Sequence, residues 1–337
     1  MNKVNSHAQD LKRVLGRWDS VAINIAIVLG VGIFITPSEV AKYSSSPRFI
    51  ILAWIVGGII SLMGALCYAE ISSSFPKTGG NYIYLRESYG PLIGFLFGWT
   101  ELLVIRTGSI AAVSFIFAEY LKSFLSLQSD FLLKPIAILS VLTLSFINII
   151  GLKQSKGIQN ASVIFRILAI VGLVAFGFMF QKGNIAHFQC GSGSAQGGIL
   201  QLFGLALIPI LWTYGGWHEN TFVAGETKDA KRTLPFALIT GILIVAFLYV
   251  IVNFLYIYLI SPGEMAGIPS IASKAMQILL GRYGEKFFDV LIIISSLGCL
   301  NAMIATGSRV TYAMVNDNVI FKFIGKVNIR HGTLARA

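Results

Sequence analysis

Ala26-Ile-Val-Leu-Gly-Val-Gly-Ile-Phe-Ile-Thr-Pro37 lies in the middle of the first long apolar run, residues 21–41. Gly30 and Gly32 fall where a membrane-spanning helix would reach the centre of the bilayer. Glycine weakens a helix by ~1 kcal/mol relative to alanine, and Pro37 follows soon after. The run therefore predicts a helix that is broken near its middle.

A second apolar run is interrupted in the same way, Gly204-Leu-Ala-Leu-Ile-Pro-Ile-Leu-Trp-Thr-Tyr-Gly-Gly-Trp217. Backbone released from a helix in lipid must find partners, because no water is available there. Free N–H groups at a helix start favour an anion, and free C=O groups at a helix end favour a cation. The carboxylate and ammonium groups of an amino acid would fit such a pair. Two broken helices at comparable depth indicate a transporter binding site, and the alternative is two kinked structural helices.

Composition excludes an ordinary soluble domain. The 337 residues are 55% hydrophobic and only 12% charged, with a mean hydropathy of +0.75, whereas about a quarter of the residues in a soluble domain are charged. The net charge of +11 does not indicate nucleic-acid binding, because the basic residues concentrate in the predicted loops. Cys67, Cys190 and Cys299 are scattered and give neither a disulfide framework nor a metal-binding spacing.

The apolar pattern predicts eight membrane spans, at residues 19–41, 49–72, 91–121, 132–150, 158–180, 198–224, 234–260 and 286–314. No small-residue cleavage site follows the first run, so we expect an uncleaved first helix. Of the 26 Lys and Arg residues, sixteen fall in segments on the side of the N-terminus, eight on the other side, and two, Arg106 and Arg166, within spans. This asymmetry predicts that both termini are cytoplasmic.

Several motifs occur in an order that resembles L-type amino-acid transporters of the amino acid–polyamine–organocation superfamily, and in particular the bacterial serine/threonine-exchanger type. The matching pieces are Gly30-Val-Gly-Ile-Phe34, Pro76-Lys-Thr-Gly-Gly80, Tyr82-Ile-Tyr84, Arg106-Thr-Gly-Ser109, Trp212-Thr-Tyr-Gly-Gly-Trp217, Gly225-Glu226 with Arg232-Thr-Leu-Pro235, and Ser308-Arg-Val-Thr-Tyr-Ala-Met314. Each motif alone is weak, but together and in order they cover nearly the whole chain.

The resemblance implies an all-α polytopic membrane protein with the inverted-repeat, broken-helix (LeuT-type) fold. It implies four segments: a cytoplasmic N-terminal segment (1–18), a first five-helix repeat (19–180), a partial second repeat of three helices (181–314) and a cytoplasmic amphipathic, basic C-terminal segment (315–337). Family members have twelve helices, so we expect a chain truncated before the ninth. Two residues depart from the family pattern: Val31 replaces a small residue, and Leu334 replaces a proline.

The resemblance also implies the roles of the site residues. The N–H groups of Val31, Gly32 and Ile33, beside Gly30, would hold the substrate carboxylate. Carbonyls near Val28 and from Trp212 through Tyr214 to Gly215 would hold the ammonium. Trp212 would also cap the substrate as a gate; packing between helices is the alternative. Arg166 matches a lysine that stands in for a sodium ion in sodium-independent members, and would bond carbonyls at 26–30; an arginine snorkelling to the cytoplasmic side is the alternative.

Other polar residues in the spans leave alternatives open. Glu101 and Arg106 are five residues apart, about 140° around an α-helix, so we do not expect them to pair; Glu101 is a structural carboxylate or a proton site. His218 is a packing residue or a substrate contact. With Glu219 it resembles half a zinc motif, but Phe222 replaces the second histidine.

Glu226 lies near Lys228, Lys231 and Arg232 on the predicted cytoplasmic side. This cluster is either a solvated loop or an inner gate closed by a salt bridge. The residues that follow Ser308, to Lys326, continue the eighth span and then become amphipathic and basic, so we expect them on the inner membrane surface.

The sequence therefore predicts a secondary transporter of neutral L-amino acids, a sodium-independent exchanger working by alternating access, in a bacterial inner membrane. The alternative is a truncated, non-transporting binding or regulatory protein. No catalytic cluster indicates an enzyme, and no cofactor is expected. The expected partners are a small-molecule substrate, namely amino acids, and the lipid bilayer, and no nucleic acid is expected. The family's eukaryotic members pair with a heavy chain through a cysteine that residues 122–134 lack, so no disulfide-linked heavy chain is expected.

Overall fold

The computed structural model describes residues 13–150, 152–189, 197–321, 327–328 and 333–334. The first half of the chain contains α1 (Arg17–Val28), α2 (Gly32–Ala41), α3 (Pro47–Ser74), α4 (Asn81–Tyr89), α5 (Pro91–Thr100), a π-helical turn (Glu101–Ile105), α6 (Arg106–Phe124), a 3₁₀ turn (Asp130–Leu132), α7 (Leu133–Ile150) and α8 (Leu152–Met179).

The second half begins with a 3₁₀ turn and continues with helices of very different length. Its elements are the 3₁₀ turn (Ile185–Phe188), α9 (Ile199–Tyr214), a 3₁₀ segment (Trp217–Glu226), α10 (Ala230–Leu259), α11 (Pro262–Met265), α12 (Ile271–Leu280), α13 (Arg282–Asn316), β1 (Val327–Asn328) and β2 (Thr333–Leu334). The two strands pair antiparallel, Val327 with Leu334. Apart from this two-residue ladder the described chain is helical, which confirms the predicted all-α class.

Six helical stretches of the described chain are long and apolar enough to cross a membrane, and the bent pair α1–α2 makes seven. The remaining predicted span corresponds to α8, of which residues 163–179 form a shorter apolar helix. Large apolar side chains point outward all along these helices; Met63 is 61% exposed, Leu139 65% and Phe247 67%. Lipid, not water, is the solvent for which such a surface is suited.

The core lies where α3 and α10 pack along each other and along α1. Trp54 of α3, Tyr214 of α9 and Tyr249 of α10 are fully buried there, with ring centroids 5.0–5.8 Å apart. This packing holds both broken helices against the same scaffold. We call the face where α1 begins and α13 ends the proximal face, and the opposite one, with α11 and α12, the distal face.

Candidate substrate site between two broken helices

The first span is broken as its glycines predict. α1 ends at Val28, α2 begins at Gly32, and the two axes differ by 43°. Within the described chain, the N–H groups of Val31, Gly32 and Ile33 donate no backbone hydrogen bond. The N–H groups in the first turn of a helix have no carbonyl one turn earlier to accept them. The break therefore presents a helix N-terminus near the middle of the membrane.

Gly32 is required by close approach to α9. A Cβ added there would lie 2.8 Å from Oγ1 of Thr213. The hydroxyl groups of Thr36 and Thr213 are 2.6 Å apart and tie α2 to α9. The two broken elements are thus fastened together on the distal side of their breaks.

The second span is broken at Gly215 and Gly216, where α9 gives way to the 3₁₀ segment. Gly216 has φ +92°, a conformation that glycine adopts without steric cost. Both breaks expected from the sequence are therefore present, and they lie side by side.

A cavity of about 350 Å³ lies between the breaks. Seven of the nine substrate-binding residues expected from the sequence line it: Val28, Gly30, Val31, Gly32, Trp212, Gly215 and His218. Trp212 is 60% exposed, and it lies on the distal side of the second break. The side chain of His218 packs against the rings of Tyr68, Trp217 and Phe222.

Ile33 and Tyr214 are not among the described residues that line this cavity, and the roles expected for the N–H group of Ile33 and the carbonyl of Tyr214 stay predictions. Ile33 is fully buried. The hydroxyl of Tyr214 donates to the carbonyl of Trp54, 3.2 Å away. The sequence places both residues next to a break, but the helix turns their side chains into the core.

Arg166 of α8 reaches the end of α1. Its Nη1 donates to the carbonyls of Ala26 (2.7 Å) and Leu29 (2.8 Å), and its Nη2 donates to the carbonyl of Ser295, 2.7 Å away. These are the carbonyl contacts expected from the sequence, and at 1% exposure the side chain is not snorkelling. A cation therefore holds the carbonyl end of the first break.

Tyr249 of α10 also contacts this break, and the sequence did not single it out. Its hydroxyl lies 2.7 Å from the carbonyl of Val28 and 3.3 Å from that of Thr213. The Val28 carbonyl also accepts the N–H of Gly30 at 2.7 Å. Both of its lone pairs are thus engaged, so Val28 is not a suitable ammonium ligand, contrary to expectation.

Glu101 and Arg106 do pair, contrary to the sequence expectation. Oε1 of Glu101 accepts hydrogen bonds from Nε (3.0 Å) and Nη2 (2.6 Å) of Arg106. The error came from assuming an α-helix. Residues 101–105 form a π-helical turn, and the N–H of Arg106 donates to the carbonyl of Glu101, so residues five apart stack on one face.

Arg106 has a second carboxylate partner that the sequence did not predict. Its Nη1 lies 2.7 Å from Oε2 of Glu219, which also lies 2.6 Å from the hydroxyl of Thr306. Glu101, Arg106 and Glu219 all line the cavity. Glu219 could have been identified from the sequence, because it is a charged residue in an apolar run close to Gly215 and Gly216. Among the described residues no cluster could hold a metal ion.

On the proximal face, Glu226 pairs with an arginine of α13 and not with the lysines near it in sequence. Nε of Arg309 lies 2.9 Å from Oε1 of Glu226, and both side chains are buried. Lys228, Lys231 and Arg232 are exposed, so the solvated-loop alternative is wrong for Glu226. The carbonyl of Glu226 also accepts the N–H groups of Val14 and Leu15.

The end of α13 is tied to α4 on the same face. The hydroxyl of Tyr82 donates to Asp317 at 2.8 Å, and Arg86 pairs with Asp317. Burial, followed by the neighbouring Asp317, raises the pKa of Tyr82. The hydrogen bond from Arg86 and the charge of Lys77 lower the pKa of Glu87. These contacts close the proximal face below the central cavity.

An all-helical membrane fold with two broken helices around a cavity defines a secondary transporter. A model described as amino acid permease matches residues 15–337, and the chain belongs to that family. The family is one of transporters and not of enzymes, as the sequence predicted.

Individual relatives agree with this assignment. The chain is similar to the serine/threonine exchanger SteT of Bacillus subtilis, 34% identical over 91% of this chain and 70% of that protein. It is 27% identical to the b(0,+)-type amino acid transporter 1 of Mus musculus, over 99% of this chain and 70% of that protein. The structure of Mhp1, a nucleobase-cation-symport-1 family transporter in a closed conformation, has a TM-score of 0.67 at 13% identity, over 92% of this chain and 69% of that one; this likeness shows the fold.

Proposed function

We propose that this chain exchanges neutral L-amino acids across a cell membrane, independently of sodium and by alternating access. The observation that carries the proposal is the first break. Within the part of the chain that the structure describes, the N–H groups of Val31 and Gly32 have no backbone partner, and both residues line the cavity. A helix N-terminus is suited to binding an anion, here the carboxylate of an amino acid.

The other end of the substrate would be held by the second break. The carbonyls of Thr213 and Gly215 belong to cavity-lining residues next to the kink and are suited to an ammonium group. Trp212 would cover the substrate on the distal side. Together the two breaks recognise the part that all L-amino acids share, and the rest of the cavity takes the side chain.

Sodium independence is supported by Arg166. Its guanidinium already supplies positive charge to the carbonyls of Ala26 and Leu29 at the first break. A sodium ion coordinated by the same carbonyls would compete with a cation that cannot lose its proton. The site therefore needs no added metal ion to neutralise the C-terminus of α1.

The buried pair of Glu226 and Arg309 would be the proximal gate, and Trp212 the distal one. The excess of basic residues on the proximal side supports a cytoplasmic position for that face and for both termini. For a bacterial chain the membrane would be the inner membrane. No disulfide-linked heavy chain is proposed.

Counterflow tests the proposal. Proteoliposomes carrying the full chain would be loaded with unlabelled L-serine, which is named for the Bacillus relative, and given radiolabelled L-serine in sodium-free choline buffer. We expect saturable uptake that needs internal amino acid and is unchanged by sodium. The proteinogenic L-amino acids, added one at a time, would then rank the substrates.

Gly204→Ala is the matched control for variants of the broken helices, since a Cβ there meets no atom within 4 Å. Uptake that requires sodium would overturn the sodium-independent exchanger. Binding of L-serine without any counterflow would support the non-transporting alternative.

A further inference from the structure

Arg106 carries one positive charge but contacts two carboxylates. Glu101 and Glu219 both bond this single guanidinium, at 2.6 and 2.7 Å, and they are 5% and 8% exposed. If both are ionised, the group carries one excess negative charge within the membrane. Burying a charge that is not fully neutralised is costly, so a second positive charge is required there.

Other titratable groups close to Glu219 do not supply that charge. On its own segment the neighbour is His218, whose ring is packed among aromatic side chains. Among the described residues, α13 contributes the thiol of Cys299 near Glu219, and the π-helical turn contributes Glu101. These two residues line the same cavity as His218 and Glu219. Arg106 is permanently charged, and its guanidinium is already shared between the two carboxylates.

Glu101 and Glu219 differ in their hydrogen-bond partners. Oε1 of Glu101 accepts hydrogen bonds from two N–H groups of Arg106, and hydrogen bonds of this kind favour an ionised carboxylate. Oε2 of Glu219 accepts one N–H of Arg106, and its other close partner is a hydroxyl, that of Thr306, 2.6 Å away. Unlike a guanidinium, a hydroxyl can either donate or accept.

Thr306 has a second acceptor within reach. Its hydroxyl also lies 2.9 Å from the carbonyl of Ala302, one turn back on α13, and it accepts a hydrogen bond from Nη1 of Arg106 at 3.3 Å. When Glu219 is ionised, Thr306 donates to the carboxylate. When Glu219 is protonated, the carboxylic acid donates to Thr306, and Thr306 donates to Ala302. Oε2 of Glu219 and the hydroxyl of Thr306 are therefore hydrogen-bonded to each other in both protonation states.

We propose that Glu219 is a proton-binding site in the wall of the cavity and that Thr306 serves both of its protonation states. No bond other than O–H is made or broken. This inference goes beyond the proposed function and does not depend on it, because proton binding does not require transport.

Infrared difference spectroscopy tests proton binding directly. Spectra of the full chain in lipid would be recorded at acid minus neutral pH. We expect a C=O stretching band of a buried carboxylic acid that shifts in heavy water and is lost in Glu219→Gln. A histidine or a thiol gives no such band, so neither can imitate the result. A band that persists in Glu219→Gln would overturn the assignment.

Variants of Thr306 test its part in the site. Thr306→Ser keeps the hydroxyl, so the band of the carboxylic acid should stay at the same wavenumber. Thr306→Val removes the group that accepts the proton of the carboxylic acid, so the band should shift to higher wavenumber. An unchanged band in Thr306→Val would overturn the role of Thr306.

The failures are distinguishable. Absence of all counterflow, with the infrared band present, would reject the proposed exchange but not the proton site. Counterflow without the infrared band would reject the proton site but not the proposed exchange.

Discussion

Arg166 and Arg106 are both buried within membrane-spanning helices, at 1% and 7% exposure, yet they are bound by opposite kinds of partner. Arg166 bonds backbone carbonyls of Ala26, Leu29 and Ser295. Arg106 bonds the carboxylates of Glu101 and Glu219. Carbonyls do not titrate and carboxylates do. The first arginine is therefore suited to fixing the geometry of a break, and the second to a site whose charge can change.

The largest effect is expected at Arg166. Arg166→Met would leave three buried carbonyls without this donor, at about 1–3 kcal/mol each. We expect loss of counterflow and a clearly lower thermal midpoint of the purified chain. Arg166→Lys keeps the positive charge but not the planar guanidinium, so it should retain part of the counterflow and part of the thermal stability.

The matched control for charge removal is Arg232→Met, because Arg232 is an exposed cation. If Arg166→Met were no worse than this control, the carbonyl contacts would not hold the break.

The next largest effect is expected for Arg106→Lys. An ammonium group is a point charge and cannot bond two carboxylates through one planar fork. One of the carboxylates Glu101 and Glu219 then loses a charged hydrogen bond, so we expect about 1.5–3 kcal/mol of destabilisation, measured by thermal unfolding in detergent. Arg48→Lys, at an exposed position, should be neutral, and equal midpoints for the two variants would argue against a shared guanidinium.

Gly32→Ala, at the break between α1 and α2, is expected to have a smaller effect on stability but a large effect on transport. In Gly32→Ala the new Cβ would push against Thr213, 2.8 Å away, and displace α2 from α9. Overpacking of this kind costs about 1–3 kcal/mol. L-serine counterflow should fall by an order of magnitude, about the effect of 1.4 kcal/mol on the relevant step.

Gly30→Ala is the comparison for that variant, because the nearest atom to its added Cβ is 3.9 Å away. It should be milder than Gly32→Ala. The reverse order would contradict the close approach of α2 and α9.

The smallest effect on stability is expected when the proximal pair is removed as a whole. Glu226→Leu alone leaves Arg309 buried without its carboxylate and should destabilise by about 3–5 kcal/mol, whereas Glu226→Leu with Arg309→Met, which replaces the buried pair by apolar side chains, should be about as stable as the unmodified chain. A double-mutant cycle of thermal midpoints checks this. Additive midpoints would show that the two side chains do not interact.

Much of the fold could be predicted from apolar runs and glycines. Run length located the spans, since a helix needs about 20 apolar residues to cross the bilayer, and Gly30 and Gly215 marked the breaks because glycine weakens a helix. The family resemblance added Arg166 and its carbonyl partners. These features depend on local sequence, or on motifs that can be recognised one at a time.

The rest depends on tertiary geometry. The pairing of Glu101 with Arg106 needs a π-helical turn, which no composition rule marks. The contact between Tyr249 and Val28 joins residues 221 apart in sequence, and Tyr249 resembles any other aromatic residue of an apolar helix. The directions of Ile33 and Tyr214 could not be predicted either, because near a break the helical phase restarts.

The central claim is that the free N–H groups at the start of α2 hold the carboxylate of an amino acid. Competition in the L-serine counterflow assay tests it most directly, with ethanolamine, which lacks only the carboxylate, and L-alanine, which keeps both charged groups. Loss of charged hydrogen bonds, at about 1.5–3 kcal/mol each, predicts that ethanolamine competes at least about tenfold more weakly than L-alanine. Equal competition by the two would contradict the account.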